Sequence, residues 1–276
     1  MASAGNLPAR GARVRDLGLA LPPGRMPLLQ HGRPLKRWRY VGVFGPELML
    51  CAGDARVGPF PQRWWAVALP DGTLRERTTA GRGGVIIEPR RLRVAAPNAR
   101  INVNLDESGT ELEVVSPSGK SGYIWTRKRG GVPARGRAVI DGRVLEVDAG
   151  AVIDESAGYH ERHTSWRWSA GVGHTDTGEP VAWNLVDGVH DAPEQSERTL
   201  WIGDEARELP PVEFAADLSR VGGLSFRAWA TREHHTNLWL FRSDYRQPFG
   251  TFEGELAPGV RLAEGWGVME EHDAWW

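Results

Sequence analysis

The sequence predicts an all-β chain organised as two antiparallel β domains, on three observations. Short β-leaning runs separated by Gly, Pro, Asn or Asp recur from Trp38 to the end, as in barrels and sandwiches. No segment has the length and 3.6-residue periodicity of a helix; the nearest, from Glu233-His234 onward, is too short. The 276 residues are enough for two domains, or for one large twisted sheet as the alternative.

Taken in order, residues 1–35 are rich in Gly, Pro and Arg and read as an extension that wraps a surface or stays loose. The first domain, 36–150, contains the runs WRYVGVFG, LMLCAG, RWWAVAL, VIIEP, RLRVAA, INVNLD, LEVVS, GYIWTRK, RAVIDG and RVLEVDAG. Asp71-Gly72 and Asp141-Gly142 supply hairpin turns. The stretch from Gly150 to Gly158 reads as the junction. The second domain, 151–276, contains SWRWSAGVG, PVAWNLVDGV, RTLWIGD, VEFAADL, LSFRAWATRE, NLWLFRSDY, FGTFEGEL and GWGVMEEHDAWW. No internal sequence repeat is visible, so the division rests on strand spacing and length.

Composition narrows the function classes. A net charge of -1 gives no long-range pull toward nucleic acid or an anionic membrane. The two most basic stretches, RPLKRWR and Thr126 to Arg129, read as solvated turns or strand ends. Cys51, the single cysteine, sits in an apolar run and reads as buried filler. No apolar run approaches the roughly 20 residues that span a bilayer. The N-terminus lacks an apolar signal core, so a cytoplasmic protein without stable membrane insertion is expected.

The densest chemistry lies in DESAGYHERHTSWRW, Asp154 to Trp168, read as turn plus strand. On an extended chain Thr164, Trp166 and Trp168 share one face and His163, Ser165 and Arg167 the other. The alternation continues in VAWNLVDGVH, where Val181, Trp183, Leu185 and Asp187 oppose Ala182, Asn184 and Val186. Thirteen tryptophans exceed what an ordinary core needs; large side chains filling a wide barrel account for most, while Trp166, Trp168, Trp183 and Trp239 are candidates to border a ligand pocket. A carboxylic acid in an aromatic cavity has its pKa raised by desolvation and can protonate an alkene or enol. His160 and His163 are the best candidate metal pair, but on a straight strand they face opposite ways, and no HExxH or cysteine set accompanies them. Phosphate-loop, dinucleotide and GxSxG patterns are absent.

RWRYVGVFGPELMLCAGD, DESAGYHERHTSWRWSAGVG, EPVAWNLVDGVHDAPEQSERTLWIGD, SDYRQPFGTFEGEL and GVMEEHDAWW together resemble a bacterial family distantly similar to the carotenoid 1,2-hydratase and attachment-protein (AttH-like) superfamily. The resemblance covers about Pro34 to Trp276. It implies two lipocalin-like (calycin) β-barrels side by side, a ligand cavity in or between them, and chemistry without a redox cofactor. The matching positions are Asp154, Gly158, Tyr159, His163, Trp166, Trp168, Asn184, Asp187, Gly188, Tyr245, Gly250, Glu270 and His272.

The resulting expectation is a cofactor-independent hydratase, isomerase or cyclase acting on a small to medium hydrophobic molecule. Asp154 or Glu270 is the expected acid, His163 or Tyr159 the proton partner, and Asn184 the orienting group. Trp166, Trp168, Trp183, Asp187, Trp239, Tyr245 and His272 are the expected substrate contacts. The alternatives are a non-catalytic binder of an apolar ligand and a metal-dependent oxygenase or hydrolase using His160 and His163. A small hydrophobic molecule is the expected partner, with no nucleic acid and with a homodimer as an option.

Overall fold

The computed structural model describes residues 7–81, 83–238 and 241–276. Apart from a short 3-10 helix, Gly11–Leu17, its regular elements are all strands. In the first half these are β1 (Ala9–Arg10), β2 (Leu29–Gln30), β3 (Arg33–Pro34), β4 (Lys36–Phe44), β5 (Met49–Val57), β6 (Phe60–Ala68), β7 (Leu74–Ala80), β8 (Val85–Glu88), β9 (Arg91–Ala96), β10 (Ala99–Leu105), β11 (Glu111–Ser118), β12 (Gly122–Ile140) and β13 (Arg143–Gly158). In the second half they are β14 (His163–Thr175), β15 (Pro180–Asp187), β16 (Thr199–Ile202), β17 (Glu205–Glu208), β18 (Arg220–Val221), β19 (Gly223–Leu238), β20 (Phe241–Ala257) and β21 (Val260–Trp275).

The all-β expectation holds. Eleven strands form one antiparallel sheet, ordered β7-β6-β5-β4-β13-β12-β10-β9-β8, with β11 and β1 added beside β12. This sheet curls until β8 approaches the far side: the Arg63 guanidinium on β6 donates to the Val85 carbonyl at 3.1 Å. Eight strands form the second sheet, β17-β16-β15-β14-β21-β20-β19-β18. Among the described residues the hydrogen-bond ladder closes neither sheet, so the first is a half-closed barrel and the second an open sheet.

Both expected hairpin turns form. Asp141 and Gly142 have φ of 49° and 84°, the paired positive values that fit the strand twist between β12 and β13. Asp71 accepts the Thr73 amide at 2.9 Å beside Gly72, between β6 and β7. Strand β7, LRERTTA, was missing from the sequence reading because its side chains are largely polar. GYIWTRK and RAVIDG merge into β12, with a bulge between Arg129 and Val132 absorbing Gly130 and Gly131. NLWLFRSDY is split between β19 and β20, with Leu238 opposite Phe241. VEFAADL forms only an isolated bridge, Phe214 to Val221.

Residues 150–158 form no turn but the end of β13 in the first sheet, and the chain changes sheet between Gly158 and His163. Gly150 and Gly158 serve close packing. A Cβ on Gly158 would sit 2.5 Å from Ile124 Cα on the neighbouring strand.

Strand alternation divides the interior. On β4 and β13, Val41, Val43, Ala151 and Ile153 point into the first sheet's own core. Tyr40, Phe44 and Val152 point toward the second sheet, where Trp168, Ala170, Val172, Phe249 and Val268 meet them. The second sheet keeps its own core around Val181, Trp183, Leu185 and Phe252. The N-terminal extension buries Val14, Leu21 and Met26 against Val115, Tyr123, Trp125 and Tyr159. Among the described residues no helix is long and apolar enough to cross a membrane.

Candidate active site

A cavity of about 190 Å³ lies between the two sheets. Period-two alternation builds it, because even-numbered positions of several strands face the same space. Lys36, Trp38 and Tyr40 come from β4, Thr126 and Lys128 from β12, and Asp154 from β13. Trp166 and Trp168 come from β14, Glu270 and His272 from β21, Ser243 and Tyr245 from β20, and Arg232 and His234 from β19. Register aligns them: Tyr40 pairs with Asp154, Asp154 with Lys128, Trp168 with Glu270, and Trp166 with His272, which in turn pairs with Tyr245.

Glu270 is the best-placed acid. Its Oε1 accepts the Trp166 indole N–H at 2.9 Å, and its Oε2 accepts the Tyr245 hydroxyl at 2.8 Å and the Gln247 amide at 2.9 Å. Burial raises its pKa, outweighing the Trp166 and Tyr245 hydrogen bonds that favour the carboxylate; the Asp154 charge raises it further. Beside it, His272 is held neutral, its pKa pushed down to about 4 by burial. Its Nε2 lies 2.8 Å from Ser243 Oγ.

Asp154 has a different environment. Lys128 Nζ lies 2.8 Å from its Oδ1, and the Trp38 indole donates to Oδ2 at 3.2 Å. The same ammonium reaches Glu197 Oε1 at 3.2 Å. Burial works against the Lys128 charge, but Asp154 and Glu197 overcome it and raise its pKa. Glu197 sits on the loop after β15, which Arg198 folds by donating to the Asp191 and Ala192 carbonyls at 2.8 and 2.6 Å. Asp154 is therefore engaged in an ion pair, whereas Glu270 is surrounded by neutral donors.

Aromatic groups complete the walls. Tyr40 meets Trp168 edge to face across the two sheets, ring centres 5.5 Å apart. Trp168 is fixed by its N–H to Asn184 Oδ1 at 2.8 Å, and Asn184 donates to the Glu197 carbonyl at 2.9 Å. Trp64 lies flat over Gly53 on the adjacent strand, where a Cβ would come within 2.1 Å of its ring. In the wall, the buried Trp64 Nε1 and His190 Nδ1 have no hydrogen-bond partner among the described residues.

Of the residues singled out from sequence, Asp154, Glu270, Trp166, Trp168, Tyr245 and His272 line this cavity. Asn184 stands behind Trp168. The structure places four others elsewhere. His163 is exposed on the opposite face of β14, 2.7 Å from Asp273 and stacked on Trp275. Tyr159 is buried under the N-terminal extension and donates to the Pro27 carbonyl at 2.8 Å. Trp183 faces the second sheet's core and donates to Ser169 at 3.1 Å. Asp187 is exposed at the end of β15. Trp239 lies outside the described residues. His160 lines the cavity while His163 points away, so the pair does not converge on one ion; among the described residues no cluster of three or more metal-type ligands occurs.

Lys36, Lys128, Trp38, Tyr40, Trp64 and Arg232 were missed. RPLKRWR and Thr126 to Arg129 read as solvated, yet Lys36 and Lys128 are 2% and 3% exposed. The signal was the alternation itself: Lys36, Trp38 and Tyr40 share a face, as do Thr126 and Lys128. Cys51 is buried as expected, with its thiol pushed up to about 11 by burial.

Solved structures share this fold, among them a protein of the kind the sequence resemblance points to. A structure assigned as AttH from Nitrosomonas europaea superposes with a TM-score of 0.53 at 13% identity, covering 92% of this chain and 97% of the other. Kievitone hydratase from Nectria haematococca gives 0.51 at 13% identity, covering 86% and 88%. At these identities the likeness establishes the fold alone. No curated protein matches the sequence. A model of one family, described as a domain of unknown function (DUF2804), matches residues 73–276, and the chain belongs to that family.

Proposed function

We propose that the inter-sheet cavity is the active site of a cofactor-independent acid–base enzyme of hydratase, isomerase or cyclase type. Its substrate is a small, largely apolar molecule, and Glu270 is the proton donor. One observation carries this reading: a buried carboxyl at the wall of an aromatic cavity, held by three neutral donors, with its pKa raised by burial. Such a group can hold a proton and deliver it to a carbon or oxygen centre that water does not reach. Trp166, Trp168 and Tyr40 supply aromatic faces that stabilise positive charge developing on the substrate. The hydratase among the structural relatives is consistent with protonation chemistry on this fold.

Asp154, tied to Lys128, serves as a fixed charge and holds the Trp38 indole. Tyr245 and Gln247 orient the Glu270 carboxyl, the role expected from sequence for Asn184. The two sheets act as lipocalin-like halves that close a shared pocket.

The test begins with gentle-ionisation mass spectrometry of the protein after exposure to an extract of its own cells, which identifies the retained molecule. Wild type converts that molecule, and Glu270→Gln binds it without converting it. Retention of the unchanged molecule by both proteins identifies a non-catalytic binder instead.

A further inference from the structure

The chain carries 34 basic residues, and only three are lysines: Lys36, Lys120 and Lys128. Arginine meets its other needs for positive charge, yet two of these three lysines line the cavity. Lysine offers what arginine cannot, an amine that can lose its proton and attack carbon.

The two cavity lysines have opposite surroundings. Lys128 is clamped between Asp154 and Glu197 and is a fixed ammonium. Lys36, the first residue of β4, has no carboxylate, hydrogen-bond or ion-pair partner among the described residues, and its Nζ sits 3.9 Å from the Trp276 ring centre. The Trp276 face favours the ammonium, but the other groups around it do not. Val57 and Gly158 are its neighbours on the flanking strands, Arg33 adds positive charge, and His160 stands between Trp38 and Trp276. Arg37 and Arg56 line the same end of the cavity. Burial, reinforced by Arg33, brings the Lys36 pKa down to about 6, so the free amine prevails at neutral pH. His160 is in turn held neutral by burial.

We propose that Lys36 is a nucleophilic amine that forms a reversible imine with an aldehyde or ketone group of the molecule bound in the cavity. The nitrogen lone pair attacks the carbonyl carbon and the C=O π pair moves to oxygen. The two amine hydrogens leave with that oxygen as water, and a C=N bond remains. This inference rests on the cavity being a ligand site and adds a carbonyl group to the proposed substrate class.

The test is reductive trapping on the full chain near neutral pH. Propanal or benzaldehyde is added with sodium cyanoborohydride, and peptide mass spectrometry maps the modified lysines. Lys36 is expected to be labelled at least about tenfold faster than exposed Lys120, because its own amine is largely free near neutral pH. Its labelling rate should level off above about pH 6. Labelling of Lys120 without Lys36 by both aldehydes overturns the proposal, as does a Lys36 rate that does not level off. A molecule retained from the extract with Lys36 unlabelled sinks the imine and leaves the ligand site. Lys36 labelling with no conversion by wild type sinks the Glu270 reading and leaves the imine.

Discussion

Replacing Lys128 with Met should be the most damaging single change in the cavity wall, and its cost should depend on pH. The ammonium is 3% exposed and lies 2.8 Å from Asp154 and 3.2 Å from Glu197. Methionine preserves most of the volume, so the loss is electrostatic: two carboxylates remain in one site without their counter-charge. Breaking a buried pair in this way costs about 3–5 kcal/mol. In wild type the Glu197 pKa is lowered, since Lys128 and His190 overcome its burial. A lowered acid contributes stability above its unfolded value of about 4.3 and loses it as pH falls through the folded value. In Lys128→Met the sign reverses, because burial without the ammonium raises the Glu197 pKa. The variant's deficit should therefore be largest at neutral pH and shrink as pH falls toward about 4. Urea unfolding followed by tryptophan fluorescence at several pH values measures both quantities. A deficit below about 1 kcal/mol, or one independent of pH, would refute the view that Lys128 neutralises two buried acids.

Two further outcomes follow from the second sheet. His272 has its pKa lowered to about 4 against about 6.5 unfolded. Its neutral form thus contributes stability above the unfolded value, and this is lost as pH falls from about 6.5 to 4, up to about 3 kcal/mol; His272→Gln should flatten that part of the urea-midpoint profile. Glu270 works the other way. Its pKa is raised, so proton binding stabilises the fold at low pH and that contribution is lost as pH rises through the folded value. Glu270→Gln should gain stability relative to wild type as pH rises, and a gap that stays constant across pH contradicts the assignment.

Much of the fold was legible because strands and turns are local. Asp71-Gly72 and Asp141-Gly142 announce their hairpins by conformational preference alone. The grouping of Trp166 with Trp168 followed from period-two alternation, and that pair does face the cavity. What one strand cannot reveal is which of its two buried faces meets the cavity. Trp183 and Asn184 are both fully buried, yet one enters the second sheet's core and the other supports Trp168. The resemblance raised Tyr159 and His163 alike, but a single change of sheet after Gly158 sends Tyr159 under the N-terminal extension and leaves His163 on the outside. Lys36 and Lys128 were hidden for a related reason. Charge suggests solvent, and only the pairing of β4, β13 and β12 beneath the second sheet encloses them.

The most direct measurement is isotope exchange. The molecule retained from the extract is incubated in D2O with wild type and with Glu270→Gln, and mass spectrometry counts the deuterium fixed at carbon. Deuterium incorporation by wild type, abolished in Glu270→Gln with binding retained, is the predicted result. Equal incorporation by both proteins would contradict the assignment of Glu270 as the proton donor.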